Sequence, residues 1–325
     1  MTNSIGNQAP AGGVIGQIHQ RCHAAFDRFL FESCDLRTCL VLRVMYGLLV
    51  VVYSIPLIVD GPLWISDAGV MSQRTAQATG VEHAWSLFFW VSATPELVRV
   101  GAGLLLLHGV LLTAGFFSRV QLAAIFFWLV SVQHRNPLMC DGEDTVFRIF
   151  AFLFLLLPLD DYVSLANRLW IGHWNRAPIS AKPSPRAWAL RLVQFQMAVI
   201  YAVTAWCKIQ GMTWQNGTAL FYVYQLEDLF GRLPIPELLT TSKPILRLTT
   251  WAVVAVESAL PFALFFRRTR LVAMLVGIGL HLGIEYAMHL FLFQWIMICG
   301  LLAFLPPKQD RKIARFSQPS ELIPV

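Results

Sequence analysis

Gln194-Phe-Gln-Met-Ala-Val-Ile-Tyr201-Ala-Val-Thr-Ala-Trp-Cys207-Lys208-Ile-Gln-Gly211-Met-Thr-Trp214-Gln-Asn-Gly217-Thr-Ala219 carries an amine to the end of an apolar helix. Gln194, Tyr201 and Lys208 follow one another at steps of seven residues, close to two helical turns, so all three line one face. A polar stripe inside an apolar segment is costly in hydrocarbon and points to a site rather than to a solvated surface. The plainer reading is a lysine that reaches up to the headgroups. Such snorkelling does not need polar residues deeper on the same face. An amine held near hydrocarbon is less favourable in its charged form, which suits a general base.

The rest of the chain agrees with a membrane setting. Of its 325 residues, 56% are hydrophobic and 14% charged, against roughly 25% charged in a soluble domain. Long apolar runs recur, so the fold class is all-α, a polytopic transmembrane helix bundle. A barrel would need strands that alternate apolar and polar, and residues 152–157 do not alternate. The runs predict about eight spans, near 39–59, 98–116, 119–134, 145–159, 187–207, 246–266, 270–288 and 289–306. With both termini cytoplasmic, 15 lysines and arginines fall in inner segments and 6 in outer ones, as the positive-inside rule expects. The Arg267-Arg268-Thr269-Arg270 turn is the strongest single anchor. The net charge of +6 is therefore spent on topology and does not point to nucleic acid.

Three parts follow: a polar N-terminal segment over 1–36, a transmembrane domain over 37–307, and a basic tail over 308–325. No signal peptide is read at the start, and residues 26–31 suggest a short amphipathic helix on the membrane surface. The polar loop over 160–186 divides four spans from four. Between Lys208 and Lys243, residues 221–230 suggest a helix resting on the outer interface. The six cysteines contain no CxxC pair. Cys140 and Cys207 both fall on the expected outer side, either as free thiols or as a pair.

Three further polar clusters lie on or near that side. His134-Arg135-Asn136-Pro137 leads through Cys140 and Asp141 to Glu143, Asp144 and Arg148. Asp144 and Arg148, four apart, can pair on one helical turn. The cluster is either an outer loop held by salt bridges or an acidic cap with Arg135 free to bind a carboxylate or carbonyl oxygen. Glu257 is an isolated carboxylate in an apolar run, near Pro261. It must find a partner, such as Arg43, or bind a proton. His281, Glu285 and His289 step by four along one drifting face. They could ligate a metal, but they lack the HExxH form, and a histidine lining a cavity is the simpler reading.

Taken together, these segments resemble the HTTM domain, the membrane domain of vitamin K-dependent gamma-carboxylase and its bacterial relatives. The resemblance rests on Gln194, Tyr201, Lys208, Gly211, Trp214 and Gly217-Thr218-Ala219. Arg135-Asn136-Pro137 with Gly142 and Asp144, Glu257 before the arginine turn, and His281 with its Phe-rich sequel support it. It runs from about 37 to 306. In the carboxylase a base deprotonates a reduced naphthoquinone, oxygen adds, and the strong base so formed takes a proton from glutamate, to which carbon dioxide adds. The resemblance makes Lys208 that base. Tyr201 and Gln194 would orient it, and Glu257 or His281 would relay protons. Arg135 and Asp144 would shape the entrance, and together with Asn136, Gln194, Trp214 and His289 would bind the substrate or cofactor.

The implied cofactor is a reduced, vitamin K-like quinone. The implied partners are the bilayer and a secreted peptide, and the implied location is a bacterial cytoplasmic membrane. Two departures stand out. The large C-terminal substrate-recognition region of the carboxylase is missing from this sequence, and acids stand near 142–144 where its second catalytic histidine is expected. Short bacterial members include the sporulation-delaying protein B group, which helps to mature a secreted peptide toxin. A non-catalytic accessory or immunity factor is therefore the alternative.

Overall fold

The computed structural model describes residues 14–32, 34–79, 84–160, 187–226, 231 and 233–306, and among them it is helical with no strand. The main helices are α1 Val14–Phe31, α2 Leu36–Val59, α3 Pro95–Ala114, α4 Ser118–Arg135 and α5 Gly142–Phe154. Then follow α6 Trp188–Gln210, α7 Lys243–Ala263, α8 Arg270–Ala287 and α9 Phe293–Leu301. The loop expected over 160–186 lies almost wholly outside the described residues, and the basic tail lies outside them entirely.

Five helices are long and apolar enough to cross a membrane by length and composition: α2, α3, α6, α7 and α8. Their exposed faces carry Val52, Ile55, Leu107, Val203, Trp206 and Leu275, while Arg43, Gln194, Glu257, His281 and Gln294 are buried. Apolar outside and polar inside is the arrangement that lipid favours.

The other three expected spans are helical but do not meet that measure. α4 has 18 residues, but Arg119, Gln121, Gln133, His134 and Arg135 make it too polar. α5 begins three residues ahead of the expected span, where Asp141 and Asp144 close a capping box, and it ends at Phe154 after 13 residues. α9 has 9 residues, extended by the single turn Leu302–Phe304. Its brevity follows from its place, packed among α2, α5, α6 and α8 with Ile296, Met297, Cys299 and Leu301 buried.

α2 and α3 pack most closely, and the reason is local. Gly47 and Gly109 face each other across the seam, where a Cβ on Gly109 would lie 3.1 Å from the Gly47 carbonyl oxygen. Small residues let helix backbones approach in this way. α1 is longer than the helix expected over 26–31. Its Phe29 ring packs on Phe195 of α6 and on Phe265, just beyond α7, so its end is held by the bundle. The expected helix over 221–230 is realised as Ala219–Tyr224, and 227–230 lie outside the described residues.

Candidate functional site

Lys208 stands in the last turn of α6, and its Nζ donates to Glu257 Oε2 of α7 at 2.6 Å. The lysine side chain is 22% exposed and that of Glu257 7%. Lys208 is thus ion-paired rather than snorkelling alone. The short helix Met212–Gln215 turns back beyond α6 and sets Trp214 beside the amine, with Nζ 5.2 Å from the ring centroid. A cation over an aromatic face adds attraction to the same charge.

A cavity of about 580 Å³ opens onto this pair, within the usual range for small-molecule sites. Leu220, Val223, Ile235, Leu239, Val253 and Leu280 give it an apolar lining, with Lys208, Glu257, Thr249 and Tyr224 as the polar points. Gly279 and Gly283 of α8 form part of its wall, and a Cβ at either would meet nothing within 4 Å. The geometry is that of a pocket for an apolar molecule whose one polar end meets an amine and a carboxylate.

Tyr201 lies two turns deeper on the same helix face and makes a separate link. Its hydroxyl is 2.8 Å from His281 Nε2, and His281 Nδ1 is 2.6 Å from Gln294 Oε1. With Gln294 Oε1 as acceptor, Nδ1 carries the ring proton and Nε2 accepts from the tyrosine hydroxyl. Tyr201, His281 and Gln294 are all buried, so the chain ties α6, α8 and α9 together beneath the Lys208 pair. Gln294 was not singled out from sequence. Its only signal is one polar residue at the start of the otherwise apolar α9.

Gln194 does not join this site. Its Nε2 donates to the Ala303 carbonyl at 2.7 Å, and its Oε1 accepts from Arg191 at 2.7 Å. The stripe Gln194, Tyr201, Lys208 is real as a helix face, but its members serve three different contacts. Rises of seven residues separate them by about 10 Å each, too far for one to orient the next.

The loop around Arg135 proves to be a brace. Arg135 is fully buried, and its Nη2 donates to Asp67 Oδ1 at 3.1 Å and to the Met71 carbonyl at 3.0 Å. Its Nε and Nη1 are buried without a hydrogen-bond partner, and it does not line the cavity at Lys208. Asn136 donates to the Trp64 carbonyl at 2.8 Å and caps Leu138. Asp144 accepts from the Tyr53 hydroxyl at 2.5 Å and from the Asp141 backbone N–H at 3.0 Å. The expected pairing of Asp144 with Arg148 is not made, because Arg148 donates to His134 Nε2 at 2.9 Å. Glu143 is buried, and its Oε2 accepts from the Leu292 backbone N–H at 2.9 Å. These groups join the loop to its neighbours and do not line the cavity at Lys208.

Arg43 is not the partner of Glu257. Its Nη1 donates to the Leu159 carbonyl at 2.7 Å, and its guanidinium lies over Gly115, whose φ of 74° and lack of a Cβ make room for it. His281, Glu285 and His289 do not converge either. His289 Nδ1 lies 3.2 Å from Glu285 Oε1, while His281 turns to Tyr201. Among the described residues no three of His, Cys, Asp and Glu gather in a way that could hold a metal ion. Cys140 and Cys207 are both free thiols, and burial pushes Cys140 up to about 12.

Comparison with known proteins adds a family to this geometry. The model of the HTTM domain family matches residues 31–308. Sporulation-delaying protein SdpB of Bacillus subtilis is 26% identical over 210 residues, 62% of this chain and 62% of that protein. The uncharacterized protein YitO of the same organism is 26% identical over 199 residues, 58% of this chain and 62% of that protein. The match thus spans about 62% of the length of each of these relatives. No solved structure matches.

Proposed function

The chain belongs to the HTTM domain family, and on that premise we propose that this multi-pass membrane protein is an enzyme that binds a reduced, quinone-like lipid in the Lys208 cavity and modifies a peptide or small substrate at the outer face. The observation that carries the reading is the Lys208–Glu257 pair at the wall of an apolar cavity. In this reading α4, α5 and α9 complete eight crossings as short or tilted helices. Both termini are cytoplasmic, Lys208 faces outward, and the membrane is the bacterial cytoplasmic one. Residues 37–307 form the catalytic domain between the polar N-terminal segment and the basic tail.

The residues suit such a ligand. The apolar lining takes a ring and an isoprenoid-like tail, and the lysine and carboxylate meet a hydroxyl. A reduced quinone, when bound, supplies an acidic hydroxyl and two electrons. Glu257 accepts the ammonium proton of Lys208, which leaves a neutral amine and a neutral carboxylic acid. With such a ligand bound, the Lys208 amine would be the group placed to take the proton of its hydroxyl and would return to ammonium. Trp214 stabilises the cationic form from one side. Tyr201, His281 and Gln294 hold α6 and α8 at a fixed spacing, so the pair and the cavity wall keep their positions. Replacing Lys208 by Ala should leave the protein in the membrane and remove both bound quinone and activity. Retention of both would overturn the proposal.

A second reading is a non-catalytic factor for peptide maturation or immunity. It is favoured by one observation: the acids at 143 and 144 are committed to backbone and Tyr53 contacts, which leaves them unavailable as a second catalytic group. Purified protein that carries a peptide and no quinone would support it.

A further inference from the structure

A second cavity, of about 590 Å³, lies at the opposite end of α6, lined by Arg191, Arg267 and Arg270. Arg191 and Lys208 are about 25 Å apart along the helix axis, so the two cavities serve opposite faces of the bundle. The second one gathers the starts of α2, α6 and α8 together with Ala303 and Pro306 near the end of the bundle. Neither α6 nor α8 has a side-chain cap at its start, so their free N–H groups add positive potential there.

Two of the three guanidiniums are held by neutral acceptors. Arg191 donates through Nε to the Phe29 carbonyl and through Nη1 to Gln194. Arg270 donates to the Leu264 and Phe265 carbonyls. Among the described residues none of the three arginines forms an ion pair. Two carboxylates, Glu32 and Asp35, share the lining, and that of Asp35 accepts from the Arg37 backbone N–H. Three cations against two anions, plus two uncapped helix starts, leave the cavity electropositive. Leu190, Leu271, Leu305 and Pro306 supply an apolar side.

We propose that this cavity binds a phosphate-bearing ligand, its oxyanion held by Arg191, Arg267 and Arg270. Guanidinium groups match phosphate geometry, and the mixed lining suits a phosphate joined to an apolar body. The phosphate can belong to an anionic lipid headgroup or to a free phosphorylated compound, and the test separates these sources.

The test uses the purified full chain in detergent, titrated with phosphatidylglycerol, phosphatidylcholine or inorganic phosphate while the thermal unfolding midpoint is read. Arg267 is exposed, and its side chain makes no hydrogen bond among the described residues, so Arg267→Gln keeps the fold. A midpoint raised by phosphatidylglycerol and not by phosphatidylcholine identifies a lipid headgroup. A midpoint raised equally by inorganic phosphate identifies a free phosphate. In either case Arg267→Gln raises the half-saturating concentration about fivefold, as expected for one cation near an anionic headgroup. No shift with phosphatidylglycerol or phosphate, or an unchanged half-saturation in Arg267→Gln, overturns the proposal.

Discussion

Lys208 and Glu257 are bonded across the seam of α6 and α7 at 2.6 Å, although 49 positions separate them in the chain. The bond is both a structural tie and the chemical centre of the cavity, and the two roles can be separated.

Removing one partner leaves the other charge buried and alone. Lys208→Ala should therefore lower stability by about 3 kcal/mol, toward the low end for a broken buried pair, because the lysine keeps some exposure. The double variant Lys208→Leu with Glu257→Leu should return to within about 1 kcal/mol of the parent. It should not recover ligand binding. Denaturant or thermal unfolding in detergent reads the first quantity, and extraction of bound lipid reads the second. A double variant as unstable as the single would contradict the ion-pair account.

Gly283 offers a test by filling. A side chain there enters open space, and replacing a mid-helix glycine relieves its entropic cost by roughly 0.5–1 kcal/mol. Gly283→Phe should fold at least as well as the parent and hold at least tenfold less apolar ligand. Unchanged ligand content would mean that the cavity is not the binding site.

The Tyr201–His281 bond is expected to support the site from beneath. Tyr201→Phe should cost about 1–2 kcal/mol, since His281 Nε2 loses its donor in a buried setting. Quinone occupancy per folded molecule should fall less than in Lys208→Ala. Equal loss in the two variants would move Tyr201 from a positioning role into direct contact with the ligand.

Arg135 is expected to behave differently from all of these. Its bonds to Asp67 and Met71 brace the loop that follows α2, so Arg135→Gln should destabilise by about 3 kcal/mol. Ligand content per folded molecule should stay unchanged. A variant that folds normally but loses ligand would restore Arg135 to the site.

Lys208 could be found from sequence because a heptad step on one helix is local information. The long apolar helices were legible for the same reason, through hydropathy alone. Partners were not. Glu257 had Arg43 as a candidate because both are charges in apolar runs, yet Gly115 and the Leu159 carbonyl draw Arg43 elsewhere. Gln194 shared a face with Lys208 but lies about 20 Å from it along the helix, so a common face did not mean a common site. Arg135, Asn136 and Asp144 looked available because sequence shows charge and not burial. Their bonds reach Asp67, Trp64 and Tyr53, contacts that only the folded chain brings together. Gln294 was missed because one amide in an apolar helix carries no spacing to read.

The most direct test of the account is mass spectrometry of lipids extracted from the purified full chain and from Lys208→Ala, both prepared from membranes that contain quinones. The account predicts a quinone bound to the parent and lost from the variant, with both proteins folded in the membrane. A parent without quinone, or equal quinone in both, would contradict it.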